Sequence, residues 1–185
     1  MRATKILTAE HDIILQVLAS LDRAREKMEQ GLRPSPDFLA KSVTFAQNFA
    51  DRFHHFKEEY LMFGLLAEKK GGLLDLHMGV LRYGHELCRG YIREISQVLD
   101  AYAEKDEMAA ITVLSSIAAY TAVLRHHIHT EDRLFFPMVE KTLSDDEKEM
   151  LMAQFHKESA TKDAATFRLY QDMSHEIASL LETGG

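Results

Sequence analysis

One pattern is written twice in this chain: His54-His-Phe-Lys-Glu58-Glu-Tyr-Leu-Met-Phe63 and His127-Ile-His-Thr-Glu131-Asp-Arg-Leu-Phe-Phe136, both of the form H-x-x-x-E-[ED]-x-L-x-F. Four residues turn an α-helix through about 400°, so the imidazole and carboxylate of each copy stand one turn apart on one face. Such a pair can ligate one metal ion, and two pairs on neighbouring helices can share two ions. A fold that uses them must bring two helices face to face around a polar interior.

The rest of the sequence supplies helices. With 185 residues the chain makes one domain, or one domain plus an appendage, and can bury a real core. It is 46% hydrophobic, has only 9 Gly and 3 Pro, and shows no alternating strand pattern. Helix one is expected from an N-cap at Thr8 to about Gly31, with Ile14, Leu15, Leu18 and Leu21 on its apolar face. Helix two follows the Pro34 and Pro36 loop, starts at Ser35 or Asp37, and runs to Lys70 before Gly71-Gly72. Its phenylalanines 38, 45, 49, 53 and 56 read as core. Helix three covers Leu73 to Tyr102, and helix four Asp106 to Phe136, stopping at Pro137.

Short connections between four long helices predict an all-α, antiparallel up-down-up-down four-helix bundle. A fifth helix is expected from a Ser144/Glu147 capping box to about Leu181. Residues 1–140 would then form the metal-binding bundle and 141–185 a C-terminal helical extension, packed on the bundle or used as a dimerisation arm.

Several function classes are excluded. The net charge of −7, without a basic stripe, argues against a nucleic-acid surface. The N-terminus lacks a signal-peptide core and no run of about 18 apolar residues is evident, so no membrane partner is expected and the location defaults to cytoplasmic. Cys88 is the only cysteine, which leaves nitrogen and oxygen as metal ligands.

Ten histidines provide the nitrogen. His11 lies on the apolar face of helix one, and His85 shares a face with Met78, Leu81, Cys88 and Ile92. His127 has Tyr120, Val123, Leu124 and Leu134 at helical spacing, and His54 has Ala50, Leu61 and Leu65. The donor set is therefore His11, His54, Glu58, His85, His127 and Glu131. Six such ligands exceed the four of a structural zinc site and suit two metals, with iron preferred; manganese or zinc can occupy such a site in a purified sample. His55 sits among Asp51, Arg52, Glu58 and Glu59 and reads as a solvated or supporting residue, as do His77, His126, His129 and His156.

At these residues the chain resembles the hemerythrin-like HHE cation-binding family. The likeness is carried by Glu10-His11, His54-His-x-Lys-Glu58-Glu with Phe63, Gly84-His85-Glu-x-x-Arg89, and His127-Ile-x-x-Glu131-Asp ending in Phe136-Pro137, over about residues 8 to 138. The resemblance implies an antiparallel four-helix bundle holding two non-haem iron ions bridged by Glu58 and Glu131, with His11, His54, His85 and His127 as terminal ligands. Oxygen-carrying members place two histidines four residues apart on helix three. Here Leu81 and Arg89 flank His85 instead. Some relatives recruit the residue after the helix-two histidine, which nominates His55.

The resemblance further implies a protein that binds oxygen, nitric oxide or iron itself for sensing, storage or stress response; a monomer or homodimer is expected. A di-iron enzyme with peroxidase-like or oxygen-activating chemistry is the alternative. A small diatomic ligand or peroxide is the expected partner. Ferritin-like proteins use Glu-x-x-His, whereas the order here is His-x-x-x-Glu.

Overall fold

The computed structural model describes residues 2–69, 72–160 and 164–183, and every regular element among them is a helix. Helix α1 spans Ala3–Glu29, α2 covers 36–67, and α3 spans Gly72–Gln97. A short α4, Leu99–Ala103, leads to α5, Glu107–Thr142, followed by α6, Asp145–Ala160, and α7, Ala164–Thr183.

Several ends follow the local chemistry read from sequence. Gly31 sits at φ +80° just past α1, where its N–H donates to Met28 and the Leu32 N–H to Lys27, a Schellman closure that a β-carbon would strain. Ser35 caps α2 by accepting from the Phe38 N–H at 3.2 Å, with Pro36 in the first turn where no N–H is needed. Ser144 and Glu147 form the reciprocal capping box ahead of α6.

Other boundaries differ. Helix α1 starts at Ala3, and Thr8 lies inside it, its hydroxyl donating to Asp132 rather than capping. Helix α2 ends at Ala67; Lys70 and Gly71 lie outside the described residues, and Gly72 opens α3. The expected third helix breaks at Val98, and the following α4 carries Tyr102 inward, where its hydroxyl donates to the Pro34 carbonyl. Helix α5 passes through Pro137 to Thr142. The wide π-helical turn Glu131–Phe135 interrupts the regular ladder just before it, so Pro137 occupies the first turn of a renewed α segment. The expected C-terminal helix is described as α6 and α7, on either side of residues 161–163, which lie outside the described residues; Leu151 and Phe155 are buried in one core, Ile177 and Leu181 in the other.

Those two cores organise the molecule. The larger holds Ile13 to Ala24 of α1, Phe38 to Phe53 of α2, Cys88 to Ile95 of α3 and Ala109 to Leu124 of α5. The second holds Ala3 and Leu7, Met62 to Leu66, Leu74 to Leu81, and Phe135 to Val139. Each of the four long helices crosses from one core to the other, and at the crossing it carries His11, His54 with His55 and Glu58, His85, or His127 and Glu131, all buried. A polar layer is thus sealed on both sides by apolar side chains.

Contacts between helices run in opposite senses. Thr4, His11 and Asp22 of α1 meet Glu140, Asp132 and Arg125 of α5, in that order. Asp51 and Glu59 of α2 meet Arg89 and His85 of α3, and His85 and Glu94 meet His127 and Ser116 of α5.

On composition, α5 contains an 18-residue stretch long and apolar enough to cross a membrane, which the sequence reading had not recognised. Its inward residues Val113, Ile117, Tyr120 and Leu124 belong to the main core, and its small outward residues include Ala118, Ala119 and Ala122. A core helix with an alanine-rich outer face passes the same test.

Candidate metal centre

The polar layer is assembled by local distortions of α2 and α5. Residues Ala46–His55, Lys57–Met62 and Glu131–Phe135 are π-helical. A wider turn holds more residues, so neighbours in sequence are separated by a smaller angle and can point to one side. Phe53, His54 and His55 are consequently all buried, as are Lys57 and Glu58. The same shift exposes Leu134, expected on the inner face, and buries Phe135 and Phe136 in its place. Phe56, expected in the core, is half-buried against the exposed Tyr60 ring.

Every residue proposed as a ligand from sequence converges here, in two groups. One is His11, His54, Glu58 and Glu131; the other is His55, Glu58, His85 and His127; within each, the candidate ligand atoms lie within 4.8 Å of one another. Glu58 belongs to both. Its Oε1 lies 3.3 Å from His54 Nε2, and its Oε2 lies 3.4 Å from His85 Nε2. Glu131 spans the groups in the same way, with Oε2 3.3 Å from His11 Nε2 and Oε1 3.0 Å from His127 Nε2. Separations of roughly 3 Å are what adjacent ligands show when each bonds an ion at about 2.1 Å.

His55 corrects the reading of it as a solvated residue. Its ring is stacked on that of His85 with centroids 3.8 Å apart, and neither of its nitrogens has a hydrogen-bond partner. It stands with Glu58, His85 and His127 in one group of candidate ligands. His77 is half-buried and outside both groups, and His126, His129 and His156 are exposed.

Carboxylates around the layer orient the imidazoles. His54 Nδ1 lies 3.0 Å from Glu10, His11 Nδ1 3.1 Å from Asp132, and His85 Nδ1 2.5 Å from Glu59. Each contact favours a proton on Nδ1 and turns Nε2 inward, the arrangement that orients metal-bound histidines. Sequence reasoning gave these carboxylates no role. The acidic residue following each glutamate of the repeat, Glu59 and Asp132, was the available signal. Lys57 is buried, paired with Glu10, and 3.6 Å above the Phe53 ring.

The fit of this layer to metal ions rests on its unsatisfied atoms. His11 Nε2, both nitrogens of His55, and all four oxygens of Glu58 and Glu131 are buried without hydrogen bonds among the described residues. Burying an unpaired carboxylate costs on the order of several kcal/mol, so such a cluster needs cations. The metal-free chain supplies them as protons. Burial lowers His11, yet Asp132 and Glu131 outweigh it and raise its pKa to about 10. Burial likewise opposes Glu58 and Glu59 at His85, which is raised to about 9. His55 is pushed down to about 3 by burial and by His85. Burial and Glu58 push Glu131 up, but His127 and His11 hold it at about 2.

One side of the layer is open to a small volume. A cavity of about 240 Å³ lies between α2 and α3 and reaches His55, with Cys88 and Tyr120 in its wall. Cys88 is buried, and desolvation pushes its thiol up to about 12, so it acts as a small apolar side chain.

The family model described as the hemerythrin HHE cation binding domain matches residues 2–139. Uncharacterised proteins of Mycobacterium bovis and Mycobacterium tuberculosis are each 25% identical over 142 residues, which is 77% of this chain and 55% of theirs. The chain thus spans about half the length of these curated relatives. No solved structure matches it.

Proposed function

Because the chain belongs to the hemerythrin HHE cation-binding family, we propose that its polar layer holds two non-haem iron ions and that this pair binds a small ligand for sensing, storage or stress response. One ion would be held by His11 and His54, the other by His55, His85 and His127, with Glu58 and Glu131 bridging. The observation that carries the reading is the sharing of Glu58: two groups of buried candidate ligands meet on one carboxylate, neither of whose oxygens has a hydrogen bond among the described residues. When bound, such an iron pair supplies electrons and open coordination positions for a diatomic ligand or peroxide. The chain contributes the rest. Glu10, Asp132 and Glu59 hold imidazoles in one tautomer, and the two apolar cores exclude water.

An antiparallel four-helix bundle is part of the same proposal, supported by the opposed order of contacts along α1 with α5, α2 with α3, and α3 with α5. A cytoplasmic setting, in a monomer or homodimer without nucleic acid or membrane, completes it. Turnover as a peroxidase-like or oxygen-activating enzyme is a second reading, favoured by the cavity at His55, which is larger than a diatomic ligand needs.

Metal analysis with an absorption spectrum of the oxidised protein tests the main reading. Two iron ions per chain and a near-ultraviolet band are expected in the wild type, with both lost in Glu58→Ala. Less than one metal per chain in the wild type, or an unchanged variant, would sink it. Steady-state loss of peroxide that depends on Glu58 and Glu131 would favour turnover.

A further inference from the structure

The cavity beside His55 has a chemical character of its own. Its wall includes the Tyr120 side chain, which is buried and has no hydrogen-bond partner among the described residues. A buried phenol normally finds an acceptor, so an unmatched one lining an open volume marks a place where an acceptor can bind. Burial raises the pKa of this phenol well above its ordinary value, which keeps it a donor.

Charge around the cavity points the same way. Arg52, Arg89 and Arg93 line it, against Asp51 as the one carboxylate, in a chain whose net charge is −7. Arg89 is already committed, donating to Asp51 at 2.8 Å, Glu59 at 2.9 Å and Glu86 at 2.7 Å. Arg52 and Arg93 are exposed at the rim, and neither has an acidic partner among the described residues. Guanidinium groups are weakly hydrated and present forked donors suited to oxyanions. The cavity's volume, about 240 Å³, suits a small guest.

We propose that this cavity is a binding site for a small oxyanion or short carboxylate, which accepts a hydrogen bond from Tyr120 and is drawn in by Arg52 and Arg93. Its placement next to a metal through His55 rests on the reading of the metal centre; its anion binding does not. The site would set which small molecules gather beside that imidazole.

Isothermal titration of the full chain, with metal content counted in the same samples, tests this. Sodium sulfate and sodium formate are titrated separately, with sodium chloride at matched ionic strength as control. Saturable heat with sulfate or formate beyond chloride is expected. Sulfate alone would identify an inorganic oxyanion site, and formate alone a carboxylate site. Tyr120→Phe should weaken binding at least tenfold with little change in melting temperature. The surface double variant Arg52→Gln with Arg93→Gln should do the same without touching the core. Absence of saturable heat in the wild type overturns the proposal, as does unchanged affinity in both variants. Metal-replete protein that binds neither anion counts against this site alone, whereas anion binding in protein unable to hold metal counts against the metal centre alone.

Discussion

Gly84 is the residue where the smallest change meets the metal layer. A β-carbon there would come 3.0 Å from Nδ1 of His127, a ring already placed by Glu131 and by His85. Alanine also favours an exposed helix by about 1 kcal/mol over glycine. Gly84→Ala is therefore expected to leave the metal-free chain as stable or more stable, while weakening metal binding by on the order of tenfold through the displaced imidazole. Thermal melts of chelator-treated protein and a competition titration against a chelator would show the two opposite effects. His55 gives a pH signature. Its pKa is about 3 in the folded, metal-free chain and ordinarily 6.5, so the unfolded chain takes up a proton first and stability falls as pH drops from 6.5 toward 3. His11 and His85 have the opposite sense: their contribution is full below 6.5 and fades as pH rises through about 10 and 9. Urea midpoints of metal-free protein at pH 7 and pH 4.5 should converge in His55→Phe relative to wild type; an equal loss in both would refute the assignment. From sequence, His54 and His127 could be placed by their apolar neighbours. His55 could not, because an ideal helix turns adjacent residues to different sides.

The same limit operates at the scale of the element. Helix existence was legible throughout, since apolar spacing and caps are local properties, and Ser35 with Pro36 fixed the start of α2. Ser35→Ala is expected to cost about 1 kcal/mol in denaturant unfolding, the usual value of a lost N-cap. The wide turns were not legible. They arise because the helix gains more by delivering several donors to one site than it loses in hydrogen-bond geometry, and that gain exists only after the other helices have arrived. Their consequences account for particular misreadings: the burial of His55, the exposure of Leu134, and the passage of α5 through Pro137.

At the scale of the molecule, the family match ends at residue 139, yet the core does not. Ile177 and Leu181 of α7 join the larger core, and Phe155 of α6 is fully buried in the other. Ile177→Ala should cost about 2–5 kcal/mol, the range for a buried isoleucine truncated in a packed interior. A loss below 1 kcal/mol would mean that α7 is loosely attached in solution. No motif marked this role, because what covers a core is decided by what the core leaves open. The two cores, finally, touch opposite sides of a layer whose carboxylates are balanced by protonated imidazoles in the metal-free chain and, under the proposed function, by metal ions. Cooperativity is thus conditional. Under the proposed reading, the halves should unfold as one with ions in place; stripped of them, each should loosen more readily, and the backbone amides at the crossings would be the first to exchange with solvent.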